Sequence, residues 1–334
     1  MKNIKFKIKI LFLGLGGAGQ RHLRLLNTLF KKELFKIYAY RFKKKTTFLN
    51  ANFKPVKKNF QREYNLEILN SFRETILVNP NIIFICTPSS IRFSLIKKFN
   101  KPDTIFCIEK PLAINLKELI KIKKHIKKNN QKIIVLFQRR YHEHNVLTLK
   151  KIKKIGKILF VKFKTNSYLP NWHKYENFRK LYAANKKLGG GVLLTECHEI
   201  DLCILFFGCP DSYSVISSKR KKFKLDVNDQ AKVLLAYKNF NVLIELDFLN
   251  KRLERTYNIF GSKGLISSNQ ITNTYFFHNY KTSKIFKKNF YLNKGNDILF
   301  EKQLKYIFDC IIKNKKSKII NDFKSSEIIC RIAK

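Results

Sequence analysis

Over the first 137 residues, apolar positions recur in two alternating rhythms. Short dense runs at 8–13, 36–40, 81–86, 104–108 and 132–137 have the length and composition of buried strands. Between several of them, the stretches 21–30, 92–99 and 116–128 repeat their apolar positions at helical spacing. Strand and helix in alternation predict a parallel sheet with helical crossovers on both faces. After residue 137 the texture changes. The runs 156–164, 230–237, 241–248 and 255–260 alternate apolar with polar residues, and Lys238-Asn239 is a turn signal between two of them. Consecutive strands joined by short turns predict a sheet with one covered face and one open face. Helical stretches interrupt it at 191–207 and at 297–313, where helical spacing is kept by Leu299, Phe300, Leu304, Ile307, Phe308 and Ile311. The fold class is therefore α/β. A doubly wound parallel sheet over residues 1–137 precedes an α/β domain over 138–334 with a large open, mostly antiparallel sheet.

Composition changes this picture little and narrows the functions. A chain of 334 residues has room for two domains, and 45% hydrophobic with 13% aromatic residues excludes a disordered or fibrous chain. Lysines interrupt every apolar stretch before it reaches the roughly 18 residues of a spanning helix, so no membrane role is expected. Residues 1–20 imitate a secretory leader, with lysines ahead of Ile10-Leu11-Phe12-Leu13. The alternation Ile4, Phe6, Ile8, Ile10 and the early glycines read instead as the approach to a buried strand. The net charge of +46 has two readings, a polyanion partner or compositional drift. Only 13 of the 69 basic residues are arginine, and the lysines run from Lys43-Lys44-Lys45 through Lys127-Lys128 to Lys315-Lys316 without settling on one arm or helix. Nucleic-acid binders concentrate their charge or carry a known module, so no specific nucleic-acid partner is expected. The seven cysteines are odd in number, scattered and form no C-x-x-C pair, which fits free thiols in a reducing cytoplasm.

Four motifs carry candidate chemistry. Gly14-Leu15-Gly16-Gly17-Ala18-Gly19 is a G-x-G-x-x-G at the end of a predicted strand and the start of a predicted helix. Its glycines permit a sharp turn and close approach of a pyrophosphate, while the helix N-terminus offers N–H donors and partial positive charge. At the end of the second strand, where NAD binding calls for a carboxylate, the chain has Tyr40-Arg41-Phe42 and three lysines. Arg41 either pairs with a 2′-phosphate, which favours NADP over NAD, or stacks on adenine. Thr87-Pro88-Ser89-Ser90 and Glu109-Lys110-Pro111-Leu112 each follow a predicted strand, where ligands of open α/β sheets bind. Lys110 is then a lysine that burial and neighbouring charge can activate for proton transfer. Last comes Gly189-Gly190-Gly191 leading into a helix with Glu196, His198, Glu199 and Asp201, where His198 reads either as a proton carrier or as a structural histidine.

These motifs, in this order, resemble the glucose-fructose oxidoreductase and inositol dehydrogenase family (Gfo/Idh/MocA) along the whole chain, down to Asn321-Asp322 and the closing helix. The resemblance implies a Rossmann domain followed by a substrate-binding and oligomerisation domain, with Lys110 as the catalytic proton carrier and His198 at the reacting hydroxyl. It implies Thr87, Pro88 and Glu109 beside the dinucleotide, Glu196 and Asp201 near the substrate, and association as a homodimer or tetramer. Two departures stand out. Many members have an aspartate where this chain has Leu194, and a histidine where it has Arg92. The stretch Tyr168 to His173, with Trp172 inside it, followed by Arg179, looks like a subgroup associated with surface-glycan and acidic-sugar biosynthesis. Trp172 can cover a sugar ring, and His173 or Arg179 can hold a carboxylate or phosphate. The expected function is an NAD(P)-dependent oxidoreductase of a sugar or nucleotide sugar. The rivals are a cofactor-assisted epimerase or glycosidase without net redox, and a cofactor-binding sensor without catalysis.

Overall fold

The computed structural model describes residues 8–42, 46–173, 175–220, 223–289, 297–313 and 323–334, grouped into two compact units. In the first unit, β1 (Ile8–Leu13), β2 (Phe35–Tyr40), β3 (Leu66–Leu69), β4 (Ile82–Ile85), β5 (Ile105–Glu109) and β6 (Lys132–Leu136) form one sheet. All its pairs are parallel, in the order β3-β2-β1-β4-β5-β6. The crossovers carry α1 (Gly17–Leu29), α2 (Phe60–Tyr64), α3 (Phe72–Leu77), α4 (Arg92–Ile96) and α5 (Leu116–Lys128). β4 is buried at every residue, as a strand covered on both faces must be. Phe12 of β1 stacks on Phe84 of β4 with ring centroids 4.7 Å apart. The strand order reverses between β1 and β4, which is where doubly wound sheets open a crevice at the carboxyl ends of their strands. Gly14 and Cys86 are the first residues beyond those two ends.

The second unit contains α6 (Glu143–Lys151), β7 (Ile158–Asn166), α7 (Val192–Thr195) and α8 (His198–Phe207). Its sheet continues with β8 (Ser212–Ser218), β9 (Gln230–Tyr237), β10 (Phe240–Asp247), β11 (Glu254–Gly261), β12 (Gly264–Asn269), β13 (Thr274–Asn279) and β14 (Lys284–Asn289). The order is β14-β13-β12-β11-β7-β10-β9-β8, with β7 and β10 parallel and the other pairs antiparallel. Val161, Phe163, Val242 and Ile244 point to the covered face. On the other face Lys162 pairs with Glu245 at 2.7 Å, and Leu234, Phe160 and Phe260 lie partly in solvent. Beneath the covered face lies a buried polar network. Thr148 on α6 meets the Tyr257 hydroxyl at 2.7 Å, and His144 Nδ1 meets Ser268 Oγ at 2.7 Å.

Two expectations are corrected and one strand is added. α9 (Asp297–Ile312) does not belong with the residues that precede it. Its Phe300, Leu304 and Phe308 enter the core of the first unit, and Asp297 pairs with Arg21 and Arg24 of α1, so α9 returns to that unit. The closing helix α10 (Phe323–Ile332) lies mostly in the second. The single helix expected over 191–207 is two, because Glu196 takes φ −97° and ψ 35° between α7 and α8. β3 was not anticipated, since four residues between Asn65 and Asn70 are too few to show a period. Asn321-Asp322 lie outside the described residues.

The buried network makes stability depend on pH. Burial, ahead of all else, lowers the His144 pKa from 6.5 to about 4. Between those values the unfolded chain binds a proton that the folded protein refuses, so stability is intact above pH 6.5 and is lost as pH falls towards 4. About 2–3 kcal/mol should go in that window. Denaturant unfolding of wild type and His144→Gln is expected to show the wild type losing that much more stability than the variant between neutral pH and the lower limit.

Candidate functional site

In the first unit the site is built around the N-terminus of α1. Gly14 ends β1 at φ +96°, and a Cβ there would lie 3.1 Å from the Cys86 carbonyl oxygen. At Gly19 a Cβ would stand only 2.2 Å from the Gly14 oxygen, so the helix approaches the strand end more closely than any side chain permits. Gly16, the N-cap, is different. Nothing lies within 4 Å of where its Cβ would be, and no side chain caps the helix. Gly17 and Ala18 form the first turn of this 13-residue helix, and no acidic residue stands in that turn. Uncapped N–H groups facing open space at a helix N-terminus fit a pyrophosphate.

Three buried polar side chains tie the loops at the strand ends together. Gln20 donates through Nε2 to the carbonyls of Leu15 at 2.9 Å and Thr47 at 2.8 Å, and accepts from the Leu49 N–H at 2.7 Å. It thereby holds the segment after β2 against the glycine loop. Two residues further, His22 Nε2 lies 2.6 Å from Glu109 Oε1. Burial would push the Glu109 carboxyl up, but the His22 hydrogen bond and the charges of His22, Lys110 and Arg92 hold it below its ordinary value. Arg92, at the start of α4, is 3% exposed and donates to the Thr87 carbonyl from Nε at 3.2 Å and Nη2 at 2.9 Å. Its Nη1 reaches the carbonyls of Glu109 and Pro111. Thr87 is itself buried, and its Oγ1 has no hydrogen-bond partner among the described residues, as suits a group awaiting a ligand. Pro88 opens the short turn that follows, and Lys110 stands half-buried just beyond β5. Arg41 is half-buried beyond β2, held by no ion pair among the described residues and followed by no acidic residue up to Asn50.

In the second unit, Gly191 at φ +101° caps α7, and His198 begins α8 with its ring 6.4 Å from that of Phe137. The acids around His198 are committed. Arg255 of β11 bonds Glu196 at 2.6 Å and also bonds Glu199. Burial pushes the Glu199 carboxyl up against the pull of Arg255, and Glu196 adds to the rise. Asp201 is fully buried and bonded by Arg140, whose Nη2 also reaches Ser325 Oγ at 3.2 Å. Leu194 is buried in the apolar interior. The aromatic stretch is engaged locally. Tyr168 packs on Phe223, while Trp172 donates to Ser167 Oγ at 2.7 Å and meets Phe248 edge-on. His173 bonds Glu176 at 3.0 Å, and exposed Arg179 lies over the Phe178 ring. No group of three or more His, Cys, Asp or Glu side chains among the described residues has the arrangement to hold a metal. Gln20, His22, Arg92 and Arg255 were not anticipated as site residues, because each meets its partner through the fold and no spacing announces it.

The two positions on the glycine loop separate fold from binding. Gly19→Ala is expected to cost about 3 kcal/mol, the upper end of overpacking, read as a drop in thermal stability. Gly16→Ala, facing open space, is expected to melt like wild type, while a methyl group where a pyrophosphate would approach should weaken dinucleotide binding about tenfold by calorimetry.

Comparison with known proteins accords with this geometry. The model of the oxidoreductase family's NAD-binding Rossmann fold matches residues 8–137, and that of its C-terminal alpha/beta domain matches 150–316. Among curated proteins, none matches the sequence. Solved structures do match in fold. The myo-inositol 2-dehydrogenase of Lactobacillus plantarum has a TM-score of 0.75 at 18% identity, covering 98% of this chain and 97% of that one. Biliverdin reductase of Synechocystis sp. PCC 6803, solved with biliverdin and NADP+, has 0.75 at 13%, covering 98% and 96%. The WlbA dehydrogenase of Bordetella pertussis, solved with NADH and UDP-GlcNAcA, has 0.72 at 14%, covering 97% and 92%. No described helix is long and apolar enough to cross a membrane. With a parallel six-stranded sheet where the first model matches and an eight-stranded sheet where the second does, the chain belongs to the Gfo/Idh/MocA oxidoreductase family.

Proposed function

We propose that this protein is an NADP-preferring oxidoreductase acting on a hydroxyl or keto carbon of a sugar or sugar derivative. The observation that carries the reading is the open, uncapped N-terminus of α1 at Gly16, set beside the unpartnered Thr87 hydroxyl at the strand reversal. Gly14 to Gly19 would receive the pyrophosphate on backbone N–H groups, and Arg41 would pair with the 2′-phosphate, a site NAD leaves unfilled. A bound nicotinamide supplies the hydride acceptor or donor. Lys110 takes or returns the proton of the reacting hydroxyl, and His198 hydrogen-bonds that hydroxyl to orient it. Glu109 serves as the partner that keeps the Lys110 loop in place through His22. In the second unit Tyr168, Trp172, His173 and Arg179 would contact the sugar and any carboxylate on it. The acidic-sugar reading draws support from the likeness to WlbA. Glu196 and Asp201 hold Arg255 and Arg140, so their part is to set the shape of the pocket wall around His198. Copies of the chain would associate through the open face of the second sheet, where Leu234, Phe160 and Phe260 are partly exposed.

One observation favours a second reading, a dinucleotide-binding protein without catalysis: Leu194 occupies the aspartate position and Glu196 is held by Arg255. Calorimetry with NADPH and NADH at physiological salt, followed by turnover on a panel of nucleotide sugars and inositols, separates the readings. NADPH is expected to bind more tightly than NADH, and Arg41→Ala to weaken NADPH alone by about 10–100-fold, the worth of a charge-assisted bond. Lys110→Ala should still bind NADPH and lose turnover. Binding without turnover on any substrate would leave the second reading, and no binding of either dinucleotide would overturn both.

A further inference from the structure

Lys110 sits on a loop, and a lysine on a flexible four-carbon stem delivers its ammonium only as accurately as its backbone is held. Two of the carbonyls that Arg92 bonds belong to Glu109 and Pro111, the residues on either side of Lys110. The third belongs to Thr87, at the end of β4. An imidazole has two nitrogens and could not serve three carbonyls, whereas the planar guanidinium fork presents five N–H donors in fixed directions. Glu109 is held from the opposite side by His22 of α1, so the Lys110 loop is pinned by main chain through α4 and by side chain through α1. The charged groups acting on Glu109 are His22 and Arg21 of α1, Lys110 itself and Arg92 of α4.

We propose that Arg92 is the positioning residue of Lys110: by clamping the carbonyls on both sides of the lysine to the end of β4, it sets the direction in which Nζ points, in the place where the family resemblance leads one to expect a histidine. The proposal deepens the reading of Lys110 as proton carrier and rests on it. The shape of the guanidinium fork, rather than its charge, is what holds the loop.

The test needs no identified substrate. Acetylation of Lys110 by acetic anhydride is followed by peptide mass spectrometry across the alkaline range, with and without saturating NADPH, in wild type, Arg92→Gln and Arg92→Lys. Exposed Lys98 is the internal reference, and thermal melting reports the fold. In Arg92→Gln Lys110 is expected to label faster relative to Lys98, and NADPH to protect it about tenfold less well, the loss of one charge-assisted bond. Arg92→Lys keeps the charge and loses the fork, so its labelling and its protection should follow those of Arg92→Gln. Lys98 should label alike in all three. Folded variants in which both the labelling rate and the protection of Lys110 match wild type would overturn the proposal. If Arg92→Gln does not fold, unchanged protection in Arg92→Lys overturns it alone. Failure of NADPH to protect Lys110 in wild type would instead overturn the dinucleotide reading, and the labelling rate of Lys110 against Lys98 would still decide the role of Arg92.

Discussion

The backbone of Gly19 rests against the carbonyl of Gly14 with no room for a single methyl between them, and the rest of the candidate site depends on that contact. It draws the first turn of α1 onto the end of β1, which leaves the helix N–H groups directed at the strand reversal and uncapped. It also fixes the rotation of the helix. With Gly19 at the contact, Gln20 and His22 are carried inwards, where one meets the segment after β2 and the other meets Glu109. Arg92 completes the set from α4. Loops that come from four different crossovers are thereby held to one another by side chains buried below the ligand-facing surface, where each bond is stronger than it would be in water.

A chain with 69 basic and 23 acidic residues has few carboxylates to spare, and where it places them is informative. Glu196, Glu199 and Asp201 all lie in the buried segment around α8, and each is bonded to an arginine. Leaving any one of these charges alone in the interior would cost several kcal/mol, so the pairs are structural commitments. Burial is what raises the Glu199 carboxyl, against the pull of Arg255, and the second glutamate on the same guanidinium adds to the rise. With those acids engaged by arginines, the proposed part at the substrate hydroxyl falls, on α8, to His198. That is the physical sense in which a leucine at position 194 is tolerable: the aspartate's charge would have needed another partner in the same interior.

How much of this is legible in the sequence follows from how local each signal is. The glycine loop reads correctly because strand, turn and helix are contiguous, and Gly14 to Gly19 lie where the run of apolar residues stops. The second sheet announces itself through alternation at Gln230–Tyr237 and through the Lys238-Asn239 turn. β8 and β3 escape because one is serine-rich and largely exposed and the other is four residues long. The split of the helix at Glu196 and the return of α9 to the first unit escape for a different reason. Both are set by partners distant in sequence, Arg255 in one case and the core around Phe308 in the other. The ties made by Gln20, His22 and Arg92 are of the same kind. Nothing in the spacing of Gln20 and His22 distinguishes them from residues on a solvated face, and Arg92 stands out only as a departure from the family's histidine, which says nothing of the carbonyls it bonds.

If these ties do what the proposed function asks of them, they assemble the dinucleotide cradle before any ligand arrives. Hydrogen exchange followed by mass spectrometry, on peptides spanning residues 14–20, 86–92 and 109–113 without and then with NADPH, tests it most directly. A preformed cradle requires the three peptides to be protected in the free protein nearly as well as the strands they follow, with NADPH adding little beyond the glycine loop itself. Rapid exchange of all three in the free protein, slowed together only when NADPH binds, would contradict it.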